Sequence, residues 1–184
     1  MAISVVINTY NAEKFLRRVL DSAKEFDEIV ICDMESTDST LDIAREYGCK
    51  IVTFPKGECR SAEPARTFAI QSAGSEWVLV LDADELVTPG LRNYLYRRIK
   101  DEDCPKGLFI PRKNLFMGKF SHANFPDFQL RFFIREGTVW PPYVHTFPVV
   151  QGHVEKLPRD KSLALVHLAD DSMKTMMKKT DLYS

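Results

Sequence analysis

Residues 77–85 form a short apolar segment that ends in three carboxylates. This segment limits the folds that the chain can adopt more than any other part of the sequence. Its residues 78–81 are an uninterrupted branched apolar run, which is typical of a strand buried on both faces of a parallel sheet. Asp82, Asp84 and Glu85 follow where the strand stops. Open α/β sheets bind ligands at this edge. Crowded carboxylates repel one another, so we expect a divalent cation that holds a phosphate here.

The first half of the chain alternates strand and helix patterns. Apolar runs predict three more strands, at residues 3–7, 29–32 and 50–54, and helical spacing of apolar residues predicts helices between the strands. Such alternation indicates right-handed βαβ units and a parallel sheet covered on both faces. The chain is therefore expected to be an α/β protein.

Capping residues set the expected helix ends. Asn11 is predicted to cap the first helix, and Ser39 with Asp42 resembles a capping box for the second. Gly48 stands where a glycine commonly ends a helix, and Thr88 precedes a proline that opens another one.

The second half differs in pattern. Residues 128–134 alternate with period two, which predicts a half-exposed strand added to the sheet in antiparallel or mixed fashion. Residues 163–168 predict one more strand. The segment from Asp170 onward predicts a short helix, and its methionines and lysines at 173–179 could form a basic amphipathic patch on a membrane or simply a solvated terminal helix.

Composition excludes several classes of protein. The 184 residues, with 45% hydrophobic and 28% charged side chains, suit one domain over 1–184, with halves at 1–105 and 106–184. A net charge of -1 gives no sign of a nucleic-acid binder. No apolar run reaches the roughly 20 residues of a membrane span, and no signal peptide is recognisable. The four cysteines lack metal or disulfide spacing, so reduced thiols in the cytoplasm are expected.

Polar side chains follow three predicted strands, at residues 8–11, 33–38 and 82–85. Successive side chains on one face of a strand lie about 6–7 Å apart, so only one aspartate of the Asp-Ala-Asp segment should bind the cation directly. We expect Asp84 to do so, with Asp82 acting through water or a ligand hydroxyl. The alternative is that these acids cap a helix or solubilise a turn.

Two further charged residues fit a phosphate site. Asp33 directly follows a strand and is assigned to the site, whereas Asp38 or Ser39 is assigned to capping because such residues build turns. Arg66 lies at a helix start, where a cation opposes the helix dipole. A nearby phosphate would explain that placement, and a plain surface arginine is the alternative.

The second half offers a base and two metal ligands. Asp127 opens an aromatic-rich strand, where apolar surroundings could raise the pKa of its carboxyl and make it a general base. His145 and His167 are each candidate metal ligands, although a lone histidine is more often a hydrogen-bonded residue without that role. Residues 140–143, Trp-Pro-Pro-Tyr, could form a sugar-stacking wall or a rigid turn.

Four segments in order resemble family 2 glycosyltransferases of the GT-A fold. Residues 5–11 look like the opening strand and nucleotide loop of that family, and residues 31–40 are similar to its Asp-x-x-Ser-Thr-Asp-x-Thr signature. Residues 65–69 resemble its Ala-Arg-Asn helix start, and residues 81–85 its Asp-x-Asp motif. Each match is weak alone, and the four at suitable spacing are specific.

The resemblance implies a GT-A-like three-layer α/β/α sandwich, with a mainly parallel sheet and a mixed or antiparallel C-terminal part. It implies transfer of a sugar from a nucleoside diphosphate-sugar to an acceptor hydroxyl, with inversion and with Mg²⁺ or Mn²⁺ as cofactor. The implied roles are metal binding by Asp84 and His145, proton abstraction by Asp127, and nucleotide-sugar binding by Asn8, Thr9, Tyr10, Asp33, Arg66 and Asp82.

Residues 111–114 and 126–133 look like a branch that builds lipopolysaccharide-core or capsular sugars. That likeness implies a saccharide or lipid-linked saccharide acceptor, with peripheral attachment to the inner face of a membrane left open. Met34 departs from many members, which carry a second acid there, so base recognition is expected to differ. Many relatives also continue well past the position of Ser184.

Two other functions remain open at this point. Phosphatases of the haloacid dehalogenase type also place Asp-x-Asp after a buried strand, but on the first strand and before a pair such as Gly-Thr. Here the motif is on the fourth strand and precedes Glu85-Leu86. A non-catalytic module that binds sugar nucleotides would use most of the same residues as an enzyme.

Overall fold

One mixed sheet of ten strands organises the chain in the computed structural model, which describes residues 1–116, 119–120 and 125–168. The strands are β1 (Ile3–Thr9), β2 (Glu28–Asp33), β3 (Lys50–Thr53), β4 (Trp77–Asp82), β5 (Glu85–Val87), β6 (Gly107–Phe116), β7 (Lys119–Phe120), β8 (Asp127–Ile134), β9 (Val154–Lys156) and β10 (Leu165–Leu168). The helices are α1 (Glu13–Ala23), α2 (Thr40–Glu46), α3 (Glu63–Gln71) and α4 (Pro89–Arg98), with a 3₁₀ turn at Lys161–Leu163. The main strand order is β3-β2-β1-β4-β8-β6-β10-β5, and β7 and β9 pair with β6.

The first four strands in this order are parallel, as predicted. Val6 of β1 pairs with Val30 of β2 on one side and with Val80 of β4 on the other. Apolar residues of α3 pack on the same face as these valines, while α1 and α4 cover the opposite face. The three-layer α/β arrangement is therefore confirmed, and its carboxyl edge carries the ends of β1, β2 and β4.

The second half of the chain extends the sheet with mixed pairing. β8 is antiparallel to both β4 and β6, whereas β9 and β10 pair with β6 in parallel and β5 pairs with β10 in antiparallel fashion. Because β8 is an interior strand, Phe132 and Phe133 are both fully buried and Arg131 is 4% exposed. The expectation of a half-exposed strand at 128–134 is therefore wrong, while antiparallel addition is confirmed.

The start of α4 is capped as the sequence predicts, whereas the start of α1 is not. The hydroxyl of Thr88 accepts a hydrogen bond from the N–H of Leu91 and caps α4 as predicted. Asn11 does not cap α1, because it lies before the cap position with a positive φ of 48°. Its amide oxygen instead accepts a hydrogen bond from the N–H of Thr37, over 2.8 Å.

The predicted capping box of Ser39 and Asp42 is also absent from α2, since Ser39 makes no side-chain cap bond. Asp38 is the capping residue instead, because its carboxylate accepts hydrogen bonds from the N–H groups of Thr40 (3.0 Å) and Glu13 (3.1 Å). One side chain thus satisfies N–H groups at the starts of two helices and fixes the loop between β2 and α2.

The strand β5 was not predicted, since its three residues are too short to show a period. The strand predicted at 163–168 is β10. The helix and basic patch predicted beyond Asp170 lie outside the described residues. No helix in the described part of the chain is long and apolar enough to cross a bilayer.

Candidate functional site

Most of the predicted site residues line cavities at the carboxyl edge of the parallel strands, whereas Asp33 and Asp127 do not. One cavity is lined by Arg66, Asp82, Asp84, His145 and His167, together with the segment before α3. A neighbouring cavity connects the same two aspartates to Asn8 and Tyr10 at the end of β1. Residues from both halves of the chain therefore share one surface.

A third cavity beside the end of β1 is lined by Thr9, Tyr10, Met34 and Lys56, among others. The Tyr10 ring is 48% exposed, and the Nζ atom of Lys56 lies 4.6 Å from its centroid. Met34 is 3% exposed and contributes an apolar surface to the cavity. The cavity combines an aromatic face, a cation and an apolar wall, which suits a flat heteroaromatic ring.

Asp33 lies beneath this cavity and is bound to its own loop. Its carboxylate accepts hydrogen bonds from the hydroxyls of Thr9 (2.8 Å) and Ser36 (2.6 Å) and from the N–H of Ser36 (2.8 Å). Asp33 is 1% exposed and is not among the residues lining the cavity. These contacts favour a role in shaping the loop over the direct nucleoside contact that we predicted.

Asp82, at the end of β4, lies between two guanidinium groups. Arg66 donates to its Oδ1 over 2.7 Å, and Arg131 donates to both of its oxygens. Burial acts to raise the pKa of Asp82, but Arg131 and Arg66 outweigh it and hold that pKa well below its ordinary value. Asp82 is thus a fixed anion that anchors two arginines, with 29% of its side chain exposed. Arg66 is 6% exposed, so it is a site residue and not an ordinary surface arginine.

Glu85 is fully buried and extends this ionic arrangement. It accepts hydrogen bonds from the N–H of Asp82 (3.0 Å), from Arg112 (3.0 Å) and from Arg131 (3.4 Å). Since Arg112 also pairs with Asp127 over 2.6 Å, three arginines and three carboxylates alternate along one chain of contacts. Sequence reasoning missed Arg112 and Arg131, although both lie in the segments compared with the polysaccharide branch.

Trp140 packs on this cluster. The Cζ atoms of Arg66 and Arg131 lie 4.5 Å and 5.7 Å from the centroid of its ring, distances suited to cation–π contact. Thr67 fixes the Trp140 backbone, accepting from its N–H over 2.9 Å. Trp140 is 6% exposed whereas Tyr143 is 70% exposed, so residues 140–143 do not form one continuous stacking wall.

Asp84 faces a histidine of the last described strand. The Nε2 atom of His167 lies 3.4 Å from Asp84 Oδ2, and its Nδ1 atom lies 2.9 Å from Oδ1 of Asn114. His145 lines the same cavity and has a positive φ of 62°. No three His, Cys, Asp or Glu side chains within the described ranges are grouped closely enough to hold a metal by themselves. Two side chains and a bound phosphate remain a workable set.

Asp127 is held on all sides by hydrogen-bond donors. Its Oδ2 accepts from Arg112 Nε (2.9 Å), Arg112 Nη2 (2.6 Å) and Asn114 (3.2 Å), and its Oδ1 accepts from Gln129 (2.7 Å). Burial acts to raise the pKa of Asp127, but these partners lower it overall. A raised pKa was the basis for predicting this residue as the general base, and the geometry gives that role no support.

Glu63, the first residue of α3, is a carboxylate that the sequence did not single out. It lines two cavities, one with Asp84 and His167 and the other with Arg131 and Trp140. Its Oε2 atom is buried without a hydrogen-bond partner in the described part of the chain. Only its place three residues before Arg66 could have pointed to it.

Comparison with known sequences identifies relatives. The sequence model of a family described as Glycosyl transferase family 2 matches residues 4–151. A poly(ribitol-phosphate) beta-glucosyltransferase of Bacillus spizizenii is 37% identical over 119 residues, which is 58% of this chain and 19% of that protein. The poly(ribitol-phosphate) beta-N-acetylglucosaminyltransferase TarS of Staphylococcus aureus is 34% identical over 96 residues, or 47% of this chain and 17% of TarS. The chain thus spans less than a fifth of the length of these two relatives.

Solved structures agree on the architecture. A structure of S. aureus TarS 1-349 in complex with UDP-GlcNAc is 30% identical, with a TM-score of 0.54 over 62% of this chain and 35% of that chain. A mannosyltransferase from Pyrobaculum calidifontis, in complex with GDP-Man and Mn²⁺, reaches a TM-score of 0.66 over 96% of this chain and 59% of its own, at 20% identity. The latter likeness shows the fold alone.

Proposed function

The chain belongs to glycosyl transferase family 2, and from this premise we propose that it transfers a sugar from a UDP-sugar to a hydroxyl of a cell-surface saccharide or polyol polymer, with inversion and with a divalent cation. The donor and acceptor classes are taken from the similar poly(ribitol-phosphate) glycosyltransferases and from the TarS complex with UDP-GlcNAc. We place the reaction in the cytoplasm. Family membership removes the phosphatase alternative.

The contact between Asp84 and His167 carries the proposal. A carboxylate oxygen and an imidazole nitrogen 3.4 Å apart, at the mouth of a cavity, are ligands that Mn²⁺ accepts readily. Two neighbouring ligands of an octahedral cation with bonds of about 2.1 Å lie about 3 Å apart. Asp84 and His167 therefore fit a cation whose other ligands come from the diphosphate and water. Such a cation neutralises the charge that develops on the leaving diphosphate.

We place the nucleoside in the cavity that Tyr10 and Lys56 line together. In this proposal the base lies against the exposed Tyr10 ring, Met34 supplies an apolar surface, and Asp33 keeps the loop in shape through Thr9 and Ser36. Asn8 connects the nucleoside cavity to the cavity of Asp84. Its side-chain amide has no hydrogen-bond partner within the described ranges, so donor and acceptor groups remain available for the donor substrate.

Inverting transfer also needs a base on the acceptor side. Asp127 accepts four hydrogen bonds, two of them from one guanidinium group. Glu63 lines two cavities that Asp82 also lines. Its Oε1 lies 4.0 Å from Arg66 Nε, and its Oε2 has no hydrogen-bond partner in the described structure. Glu63 is therefore the base in this proposal. It would accept the proton of the acceptor hydroxyl as that oxygen attacks the sugar.

A thermal-shift panel tests the donor and the cation together. UDP, GDP and their sugar conjugates are added with and without Mn²⁺ to the wild-type protein and to Asp84→Asn and His167→Gln variants. We expect UDP compounds to raise the unfolding temperature most, and Mn²⁺ to increase that shift in the wild type only. Equal shifts for all nucleotides, or for all three proteins, would contradict the proposal.

A non-catalytic sugar-nucleotide-binding module would show the same increases in unfolding temperature, so turnover needs its own measurement. Release of free sugar and UDP from the stabilising donor, in the absence of acceptor, separates the two functions. An enzyme is expected to hydrolyse the donor slowly and in proportion to Mn²⁺ occupancy. A pure binding module releases no sugar under any condition.

A further inference from the structure

The side-chain amide of Asn114, on β6, contacts Asp127 on β8 and His167 on β10, the two strands that flank β6. Its Nδ2 donates to Asp127 Oδ2 over 3.2 Å, and its Oδ1 lies 2.9 Å from His167 Nδ1. We infer that Asn114, held by Asp127, is a positioning residue that fixes the tautomer and direction of His167 at the cation site. This inference rests on the function proposed above and assigns Asp127 an anchoring role.

The orientation of the amide follows from the chemistry of its neighbour. Asp127 is paired with Arg112, and an ionised carboxylate only accepts hydrogen bonds. Asn114 must therefore turn its NH₂ group toward Asp127. The reverse orientation would place the amide oxygen against a carboxylate oxygen with no hydrogen between them.

The tautomer of His167 follows from that orientation. Once the NH₂ group faces Asp127, the carbonyl oxygen of Asn114 faces Nδ1 of His167. A carbonyl oxygen can only accept, so Nδ1 carries the proton. A neutral imidazole protonated at Nδ1 has its lone pair at Nε2, which is the atom that faces Asp84. This tautomer leaves Nε2 free to bind a cation held between His167 and Asp84.

The anchor behind Asn114 is rigid. Asp127 also accepts hydrogen bonds from Arg112 and Gln129, and Arg112 is tied in turn to the fully buried Glu85. Metal-binding histidines commonly donate their second N–H to a carboxylate or carbonyl, and loss of that partner typically lowers metal affinity about 10–100-fold. Here an amide carbonyl is the partner, and a carboxylate holds the amide.

Mn²⁺ affinity measured by electron paramagnetic resonance tests the inference. Titrations are run with UDP, and with inorganic pyrophosphate as a probe without a base. Asn114→Ala is compared with Asn93→Ala, since Asn93 is an exposed residue of α4. We expect Asn93→Ala to bind Mn²⁺ like the wild type, Asn114→Ala to bind about 10–100-fold more weakly, and His167→Gln to lose at least as much.

The tautomer gives a second readout that does not depend on metal or activity. Long-range ¹⁵N–¹H NMR on histidine-labelled, metal-free protein distinguishes the two neutral forms, and the spectrum of His167→Gln assigns the signal among the four histidines. The protein carries Asp84→Ala, because the Asp84 carboxylate, 3.4 Å from Nε2, would otherwise accept a hydrogen bond from that atom. In this background we expect Nδ1–H when Asn114 is present and a shift toward Nε2–H in Asn114→Ala.

The outcomes distinguish failure of the positioning role of Asn114 from failure of the cation site at Asp84 and His167. If Asn114→Ala retains both the Mn²⁺ affinity of the wild type and the Nδ1–H tautomer while His167→Gln loses affinity, the positioning role is refuted and the cation site stands. If His167→Gln and Asp84→Asn bind Mn²⁺ like the wild type, the proposed cation site itself fails. Should Asn114→Ala not fold, Asp127→Ala is used in its place, because it removes the oxygen that holds the Asn114 amide. Nδ1–H retained in Asp127→Ala would then refute the positioning role.

Discussion

Arg131, on β8, donates hydrogen bonds to both carboxylate oxygens of Asp82, at the end of β4, with Nη1 3.3 Å from Oδ1 and Nη2 closer to Oδ2. The Arg131 side chain is 5% exposed, so little water competes for this contact. Arg131 also contacts the buried Glu85. Burial acts to lower the pKa of Arg131, but Asp82 and Glu85 raise it overall, and the guanidinium remains charged. The pair ties the parallel strands to the antiparallel addition.

Replacing Arg131 by leucine should strongly destabilise the protein. The substitution leaves Asp82 and the buried Glu85 with fewer compensating donors, and removal of one partner of a buried ion pair typically costs about 3–5 kcal/mol. We expect a loss near the lower end of that range in the free energy of unfolding, because Arg66 and Arg112 remain. Urea denaturation of the wild type and the variant measures it.

Arg17 provides the matched control for that experiment. It pairs with Glu46 over 2.6 Å, but the two side chains are 53% and 55% exposed. Exposed ion pairs contribute about 0–1 kcal/mol, so Arg17→Leu should change the unfolding free energy by less than about 1 kcal/mol. Equal losses in the two variants would show that burial of the Asp82 pair contributes nothing.

The depressed pKa of Asp82 predicts a pH dependence with a definite sign. The pKa of Asp82 is lowered in the folded state, whereas the pKa of an unfolded aspartate is about 3.9. Its stabilising contribution is therefore complete above about pH 5 and is lost as the pH falls toward the folded pKa. The stability difference between the wild type and Asp82→Asn should be constant from about pH 8 to 5 and shrink below about pH 4. Shrinkage between about pH 8 and 6 would contradict the assignment.

The sequence predicts the parallel part of this fold well because its signals are local. Each strand up to β4 is a short apolar run, and each run is followed by a helical period or a polar loop. The pairing of β8 between β4 and β6 is set by partners far along the chain. Its alternating residues therefore indicated a strand, but not that Phe132 and Phe133 would both be buried.

In the candidate site too, residues marked by a local sequence signal were predicted, and residues that act through contacts with distant parts of the sequence were not. Asp82 and Asp84 were recognisable because they end a buried strand, and Arg66 because a cation at a helix start needs an explanation. Arg131 and Asn114 contribute through contacts that cross 49 and 53 positions of sequence, and no local pattern encodes such distances. Asp127 was recognisable as a polar residue at a strand start, but its lowered pKa depends on Arg112 on the next strand.

Tyr10 should control nucleotide affinity if its exposed ring stacks on the base. Tyr10→Ala removes the aromatic face and the contact with Lys56, so we expect UDP to bind about 10-fold or more weakly by calorimetry, in line with about 1–3 kcal/mol per stacked base. Tyr10→Phe keeps the ring and should bind normally. Tyr143→Ala, another exposed tyrosine, is the control and should leave UDP affinity unchanged. An unaffected Tyr10→Ala would place the base elsewhere.

The Mn²⁺ dependence of kcat distinguishes Glu63 and Asp127 as candidates for the general base. The rate is measured as UDP release from the UDP-sugar that raises the unfolding temperature most. Loss of a general base typically lowers the rate about 10²–10⁴-fold, so Glu63→Gln should lower kcat by at least about 100-fold at any Mn²⁺ concentration. Asp127→Ala instead releases Asn114 and weakens the cation site, so saturating Mn²⁺ should restore most of its kcat. If Asp127→Ala stays inactive at saturating Mn²⁺ while Glu63→Gln retains activity, Asp127 is the base after all.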